Sequence, residues 1–187
     1  VIYYSKTGNS RFLAEQVAQQ LEADIILAKP ILNSIFIQFL LSSMKVGVPN
    51  NLSTRAIARY DEVVIFGPVW GGLLISPLRR ILHYCIKADR PIHFALSCET
   101  SDQQKEDKYG YAGVLSEARR IGGKLVKTTA AFPTTLVKEG DPTWSPKLSE
   151  KVKITEENFR GTMKARLEHF VSEIQLVNKT APNARLP

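Results

Sequence analysis

Three short stretches of this 187-residue chain hold side chains of the type and spacing that chemistry requires. The first, Ser5-Lys6-Thr7-Gly8-Asn9-Ser10, sets three hydroxyls, an amide, a glycine and a cation in consecutive positions. It lies between a segment that reads as strand and one that reads as helix. A helix start offers N–H groups without partners and a partial positive charge, and both suit a phosphate. Gly8 lets the backbone fold tightly round such an anion, while Ser5, Thr7 and Ser10 supply further donors. Neither the glycine pattern of a dinucleotide fold nor that of a P-loop is present. The competing reading is a polar turn in which Asn9 or Ser10 caps the helix.

The second stretch is Gly67-Pro68-Val69-Trp70-Gly71-Gly72, followed by Ser76-Pro77-Leu78-Arg79. An indole on a glycine-flanked loop is costly to expose unless it covers something flat, and stacking on a planar ring system would bury both faces. The alternative is a core anchor packed under the helix that opens at Ser76. The third stretch is Ser97-Cys98-Glu99-Thr100-Ser101, with a charged tract to Lys108 and then Tyr109 and Tyr111. Cys98 has no histidine or second cysteine close in sequence to activate it, so it reads as an ordinary small residue. His83, His93 and His169 fall in a helix, a strand and the last helix, and nothing gathers them. No metal site and no catalytic side chain is expected.

The elements that must position these stretches alternate. Val1–Tyr4, Asp24–Ala28, Glu62–Phe66, Pro91–Ser97 and Lys124–Phe132 read as strands. Between them, Arg11–Leu21 carries Leu13, Val17 and Leu21 at helical spacing. Ser34–Met44 is apolar enough to predict a helix packed on several sides, and 47–59 reads as irregular or partly helical. Ser76 and Pro77 predict a capped helix with Leu78, Ile81, Leu82 and Cys85 inside. Ala112–Ile121 is a further helix, stopped by Gly122-Gly123. Thr155 is expected to cap a long last helix carrying Phe159, Met163, Leu167, Phe170 and Ile174. Alternating strands and helices predict an α/β doubly wound parallel sheet with helices on both faces, whose ligand lies beyond the carboxyl ends of the strands. The three stretches above fall on that edge.

Composition sets the frame. With 44% apolar and 23% charged residues, the chain has the balance of an ordinary globular domain, expected over 1–177 with a loose tail over 178–187. Two cysteines make no disulfide framework or zinc site, and a cytoplasmic setting is the expectation. The nearest candidate for a membrane span, Ile35–Leu41, contains Gln38 and falls far below the ~18 residues required, so no membrane insertion is expected. The net charge of +7 favours acidic partners or surfaces. Its basic residues are scattered or paired, as in Arg79-Arg80 and Arg119-Arg120, and not interleaved with aromatics, so no nucleic-acid partner is expected. The chain opens at Val1 inside a strand pattern, so residues upstream are expected.

At the first two loops the sequence resembles the flavodoxin family. Tyr4-Ser5-Lys6-Thr7-Gly8-Asn9-Ser10 is similar to the [ST]-x-T-G-x-[ST] loop with which that family binds the phosphate of FMN. Gly67-Pro68-Val69-Trp70, then Ser76-Pro77-Leu78-Arg79, resembles its strand–Gly-x-Pro-x-Trp–loop–Ser-Pro-Pro-x-Arg run, with Leu78 in place of the second proline. The resemblance implies a five-stranded sheet of order 2-1-3-4-5. It implies FMN as cofactor, with Trp70 stacked on the flavin and a peptide at Gly71 or Gly72 facing its reactive nitrogen. It also implies that Ser97, Cys98 and Glu99 run along the pyrimidine edge, with Tyr109 or Tyr111 covering the second ring face. Three features depart from the family: the +7 charge where flavodoxins are acidic, the insert from Phe132 to Lys153 with Trp144, and the apolar helix near 35–41.

The function implied is electron transfer by non-covalently held FMN, toward a redox partner protein or a small-molecule electron acceptor. An FMN-dependent NAD(P)H or quinone reductase is the alternative, and a cofactor-free interaction module with the same fold is the third reading.

Overall fold

Short apolar runs become strands when both faces of a parallel sheet are covered, because no position needs to face water. In the computed structural model of the chain, which describes residues 1–137 and 152–180, five runs do this. They are β1 (Ile2–Tyr3), β2 (Ile26–Leu27), β3 (Val63–Pro68), β4 (Ile92–Cys98) and β5 (Val126–Pro133). All pair in parallel, in the predicted order β2-β1-β3-β4-β5. Ile2 stands between Ile26 on one side and Ile65 on the other. β4 is buried along its whole length. The expectations for the insert around Trp144 and for the tail beyond Thr180 lie outside the described residues.

The helices are α1 (Asn9–Gln20), α2 (Ile35–Ser43), α3 (Thr54–Ile57), α4 (Ser76–Lys87), α5 (Ala112–Gly122) and α6 (Gly161–Thr180). α1 and α6 close one face of the sheet over Leu13, Val17, Phe66, Phe132 and Phe170. Three of those rings meet edge-on or tilted, with centroids 5.9, 6.0 and 6.1 Å apart. α3, α4 and α5 close the other face over Ile57, Ile81, Leu82 and Val114. The predicted inner stripe of α4 is fully buried.

Three expectations are corrected. Ser76 is the first residue inside α4 and does not cap it; Ile75 holds the cap position. The Ser76 hydroxyl instead donates to the Gln38 carbonyl (2.9 Å) and meets the Ser42 hydroxyl (3.0 Å). Thr155 does not start the last helix. The Asn158 side chain accepts the Thr155 N–H and donates to the Lys153 carbonyl, which closes a separate turn. α6 begins only at Gly161, at φ +56°, and runs on to Thr180, past the expected end. Phe159 lies before the helix and packs edge-on against Phe12 at 5.3 Å.

The third correction is the largest. α2 is not packed on several sides: it turns Gln38 and Ser42 inward and most of its apolar residues out. Gln38 and Ser42 are 0% and 1% exposed, whereas Phe36 is 76% exposed. The Tyr4 hydroxyl donates to Gln38 Oε1 (2.6 Å), and Gln38 Nε2 donates to the Leu32 carbonyl (2.6 Å). The Ser76 N–H donates to Ser42 Oγ (2.8 Å). Buried polar groups cost free energy unless paired, and here every one of these is paired.

Candidate functional site

β1 and β3 are neighbours in space but belong to opposite halves of the winding, so the loops that leave them diverge and open a crevice. A cleft of about 400 Å³ lies there, lined by Lys6, Thr7 and Asn9, by Pro68 to Gly71, by Ser97 to Thr100, and by Tyr109 and Thr134. All three stretches singled out by residue type therefore meet at one place.

The loop after β1 is shaped by its own backbone. Ser5 Oγ accepts the Gly8 N–H at 3.1 Å, and Gly8 sits at φ +100° with open space where a side chain would stand. The requirement at Gly8 is the left-handed conformation, not room. No side chain caps α1, so the N–H groups of its first turn remain available. The hydroxyls divide their roles. Thr7 lines the cleft, Ser5 holds the turn, and Ser10 is buried with its Oγ 2.7 Å from Ser97 Oγ, tying the first loop to β4. Asn9 does not cap its own helix. Its side chain donates to the Val152 carbonyl and accepts the Ile154 N–H, both at 2.9 Å. Lys6 Nζ is held by Asn33 Oδ1 at 2.6 Å, which links the loop to the approach of α2.

The loop after β3 makes a tight turn in which the Leu73 N–H donates to the Trp70 carbonyl at 3.0 Å. Gly71 and Gly72 lie at φ +56° and +71°. A Cβ at Gly72 would run into the Lys108 carbonyl oxygen, so glycine here also lets the second and third loops touch. Trp70 is half-buried. Its ring meets Tyr4 edge-on, with centroids 5.9 Å apart, while the indole still lines the cleft. The side chain serves both readings of the sequence at once, part anchor and part wall.

In the third loop the structure separates the two tyrosines. Tyr109 is exposed and lines the cleft. Tyr111 is buried in the core, with its hydroxyl on Asp102 at 2.5 Å, and does not line the cleft. Asp102 is in turn held by Arg166 of α6 at 2.6 and 3.1 Å. That arginine holds the Asp102 carboxyl below its usual range and fastens the loop to the last helix. The Cys98 thiol is pushed up to about 12, by burial first and by Asp102 second, so it stays a neutral thiol. Glu99 and Lys6 are the ionisable acid and the cation among the described residues of the wall.

Thr100 and Thr134 belong to the wall and were not singled out from the sequence. Thr134 follows β5 directly, and a parallel sheet puts every strand's carboxyl end on one edge, so its place was available to that rule. Beside the cleft, sharing Lys6, Thr7 and Trp70 with it, is an open apolar hollow lined by Ile35, Phe36 and Phe39 of α2.

No protein-family model matches the chain, and no curated protein matches it. Solved structures do. A flavoprotein from Lactobacillus acidophilus NCFM, determined in complex with FMN, aligns at a TM-score of 0.54 with 15% identity over 73% of this chain and 94% of that one. A flavodoxin from Streptococcus pneumoniae TIGR4 aligns at 0.51 with 13% identity, over 94% of this chain and 96% of its own. Oxidised flavodoxin 1 from Bacillus cereus aligns at 0.50 with 13% identity, over 93% and 95%. At such identities the likeness is one of fold, and the fold is flavodoxin-like.

Proposed function

We propose that the chain binds one FMN non-covalently in the cleft between the loops after β1, β3 and β4, and uses it to transfer electrons. The observation that carries this reading is the pairing, across one cleft, of an uncapped helix start led by Gly8 with the indole of Trp70. The first suits a phosphate and the second a flat ring, and FMN joins the two chemistries in one molecule.

The residues present fit that group. Thr7 and the N–H groups of Asn9 and Ser10 would hold the phosphate, with Lys6 adding positive charge nearby. Trp70 would cover one face of the ring and Tyr109, which lines the same cleft, would cover the other. The peptide at Gly71 and the backbone of Ser97 to Glu99 would meet the ring edge, whereas Gly72, the other glycine singled out from the sequence, is not among the residues that line the cleft. When bound, FMN supplies the electron chemistry, and the protein supplies binding, orientation and electrostatics. Glu99 places negative charge at the wall, which disfavours further negative charge beside it. Cys98, neutral and buried, takes no part in acid–base or thiolate chemistry.

The apolar hollow beside Trp70 favours one second reading, a flavin-dependent reductase acting on an apolar acceptor. One titration separates the possibilities. FMN and riboflavin are added to the purified chain and followed by flavin absorbance and fluorescence quenching, and NAD(P)H is then added without oxygen. FMN binding that NAD(P)H leaves oxidised supports the carrier, and direct bleaching supports the reductase. Thr7→Ala should weaken FMN about tenfold or more, the scale of one hydrogen bond to a charged group, and leave riboflavin unchanged. Equal losses for both ligands would refute the phosphate site, and absence of FMN binding would leave the interaction module.

A further inference from the structure

α2 presents an apolar surface that its anchors hold facing outward. From Ile31 to Val46 every residue is exposed except Gln38, Leu41 and Ser42. Ile31, Phe36 and Met44 are 69%, 76% and 63% exposed, and Ile35, Phe39 and Leu40 join them in one continuous face. The orientation is fixed by the Tyr4, Leu32 and Ser76 hydrogen bonds to Gln38 and Ser42. Rolling the helix to bury its apolar side would leave these buried groups without partners. A contiguous apolar face of this extent marks a surface that something covers.

Charge identifies the occupant. No acidic residue lies between Asp24 and Asp61, whereas Lys29, Lys45, Arg55 and Arg59 do. Lys45 follows the carboxyl end of α2 and is exposed, and Lys6 is held beside its amino end through Asn33. Arg80 of α4 donates to the Gly47 carbonyl just beyond, at 3.0 Å. Glu117, which shares a shallow surface pocket with Lys45, is engaged by Arg79 and Arg120. An apolar helix face with Lys6 near its amino end and Lys45 at its carboxyl end, on a chain of net charge +7, repels a second copy of itself and attracts an anionic apolar-cored surface.

We propose that the outward face of α2 docks the protein on an anionic lipid bilayer, with the apolar side chains in the headgroup–acyl boundary and Lys29 and Lys45 against the headgroups. The protein lies on the membrane and does not cross it, since no helix among the described residues is long and apolar enough to span. Lys6, Thr7 and Trp70 line both the cleft and the hollow on this face, so docking brings the mouth of the cleft to the lipid surface.

The test is co-sedimentation of the full chain with phosphatidylcholine vesicles, with and without phosphatidylglycerol, at low and high salt. The chain should pellet with the anionic vesicles, at least tenfold less with phosphatidylcholine alone, and less as salt rises. Phe36→Ser with Met44→Ser, both highly exposed and outside the cleft, should lower binding at least tenfold with an unchanged circular dichroism spectrum. Lys29→Glu with Lys45→Glu should do the same through charge. Failure of the native chain to bind anionic vesicles, or undiminished binding by the Phe36/Met44 variant, overturns the proposal. So does a dimer in analytical ultracentrifugation that this variant dissociates, because a second copy would then cover the face. Vesicle binding is read with and without FMN, and the Phe36/Met44 variant should still titrate with FMN, so the docking surface and the flavin site stand or fall separately.

Discussion

α4 and α2 lie on the same side of the sheet and touch each other, yet they are held by opposite means. α4 buries Leu78, Ile81, Leu82 and Cys85 completely against the sheet, and burial alone pushes the Cys85 thiol up to about 12. α2 buries a glutamine and a serine and leaves its apolar side chains to solvent. The difference follows from position. α4 crosses over β3 and β4, where an apolar stripe finds an apolar floor, as between Leu78 and Gly67, where a Cβ would strike the leucine methyls. α2 sits at the rim, where the groups in reach are the Tyr4 hydroxyl, the Leu32 carbonyl and the start of α4. A helix is thus fixed by what lies beneath it, and apolar content alone does not decide which side goes in.

The largest effect expected from this contrast is in α4. Leu82→Ala should lower the free energy of unfolding by about 2–5 kcal/mol, since it removes methyl groups and leaves a cavity under a closed helix. The denaturant midpoint reads it directly. A loss under about 1 kcal/mol would mean that the stripe is not a core element and that the two helices differ less than they look. Gln38→Ala comes next, at about 1–3 kcal/mol, because it leaves the Tyr4 hydroxyl without its buried partner. Its signature is local: amide exchange should accelerate through α2 and stay slow in β3 and β4. Unchanged exchange in α2 would show that the polar anchors do not hold it.

The same contrast separates what was legible in the sequence from what was not. β3 and β4, the stripe of α4 and the three loops of the cleft rest on periodicity or position, which short windows reveal, whereas the strand order followed from the resemblance to flavodoxins. The orientation of α2 does not, because a helix reading Ile-Phe-Ile-Gln-Phe-Leu-Leu-Ser-Ser is apolar nearly all round and names no inner side. Its anchors are Tyr4 and Ser76, distant in sequence on either side. Ser10 meeting Ser97, and Asp102 meeting Arg166, are partnerships of the same long-range kind. Thr155 failed as the start of the last helix for a local reason, in that its carbonyl accepts the Phe159 N–H in a single turn and the run breaks before Gly161, which lies at φ +56°. Between Tyr109 and Tyr111, both reasonable from sequence, only the packing of α5 against the core decided.

A third change acts through pH. Burial raises the Tyr4 phenol to about 12, so the fold favours its neutral form. Its contribution is complete below the ordinary phenol value near 10 and is lost as pH rises from there through about 12. The anchor of α2 therefore holds through neutral and mildly alkaline solution. Tyr4→Phe should cost about 1 kcal/mol at neutral pH, and the difference between native and variant stability should shrink above pH ~10. A difference that stays constant to pH ~12 would show that the phenol is not the titrating anchor.

The smallest effect on stability sharpens the comparison most. Phe36 lies two residues, about half a turn, from Gln38 on the opposite side of the same helix, and the ring is mostly in water. Removing it takes away no buried contact, so the unfolding free energy should move by no more than about 0.5 kcal/mol. An aromatic ring exposed where it adds nothing to folding suits the proposed contact with a bilayer. Side by side, Leu82→Ala should unfold the protein more easily while leaving the outward face intact, and Phe36→Ser should leave folding alone while weakening attachment to anionic vesicles. If Phe36→Ser instead destabilised the chain as a core substitution does, α2 would be packed after all, and the division between a helix held by its apolar side and a helix held by its polar side would collapse.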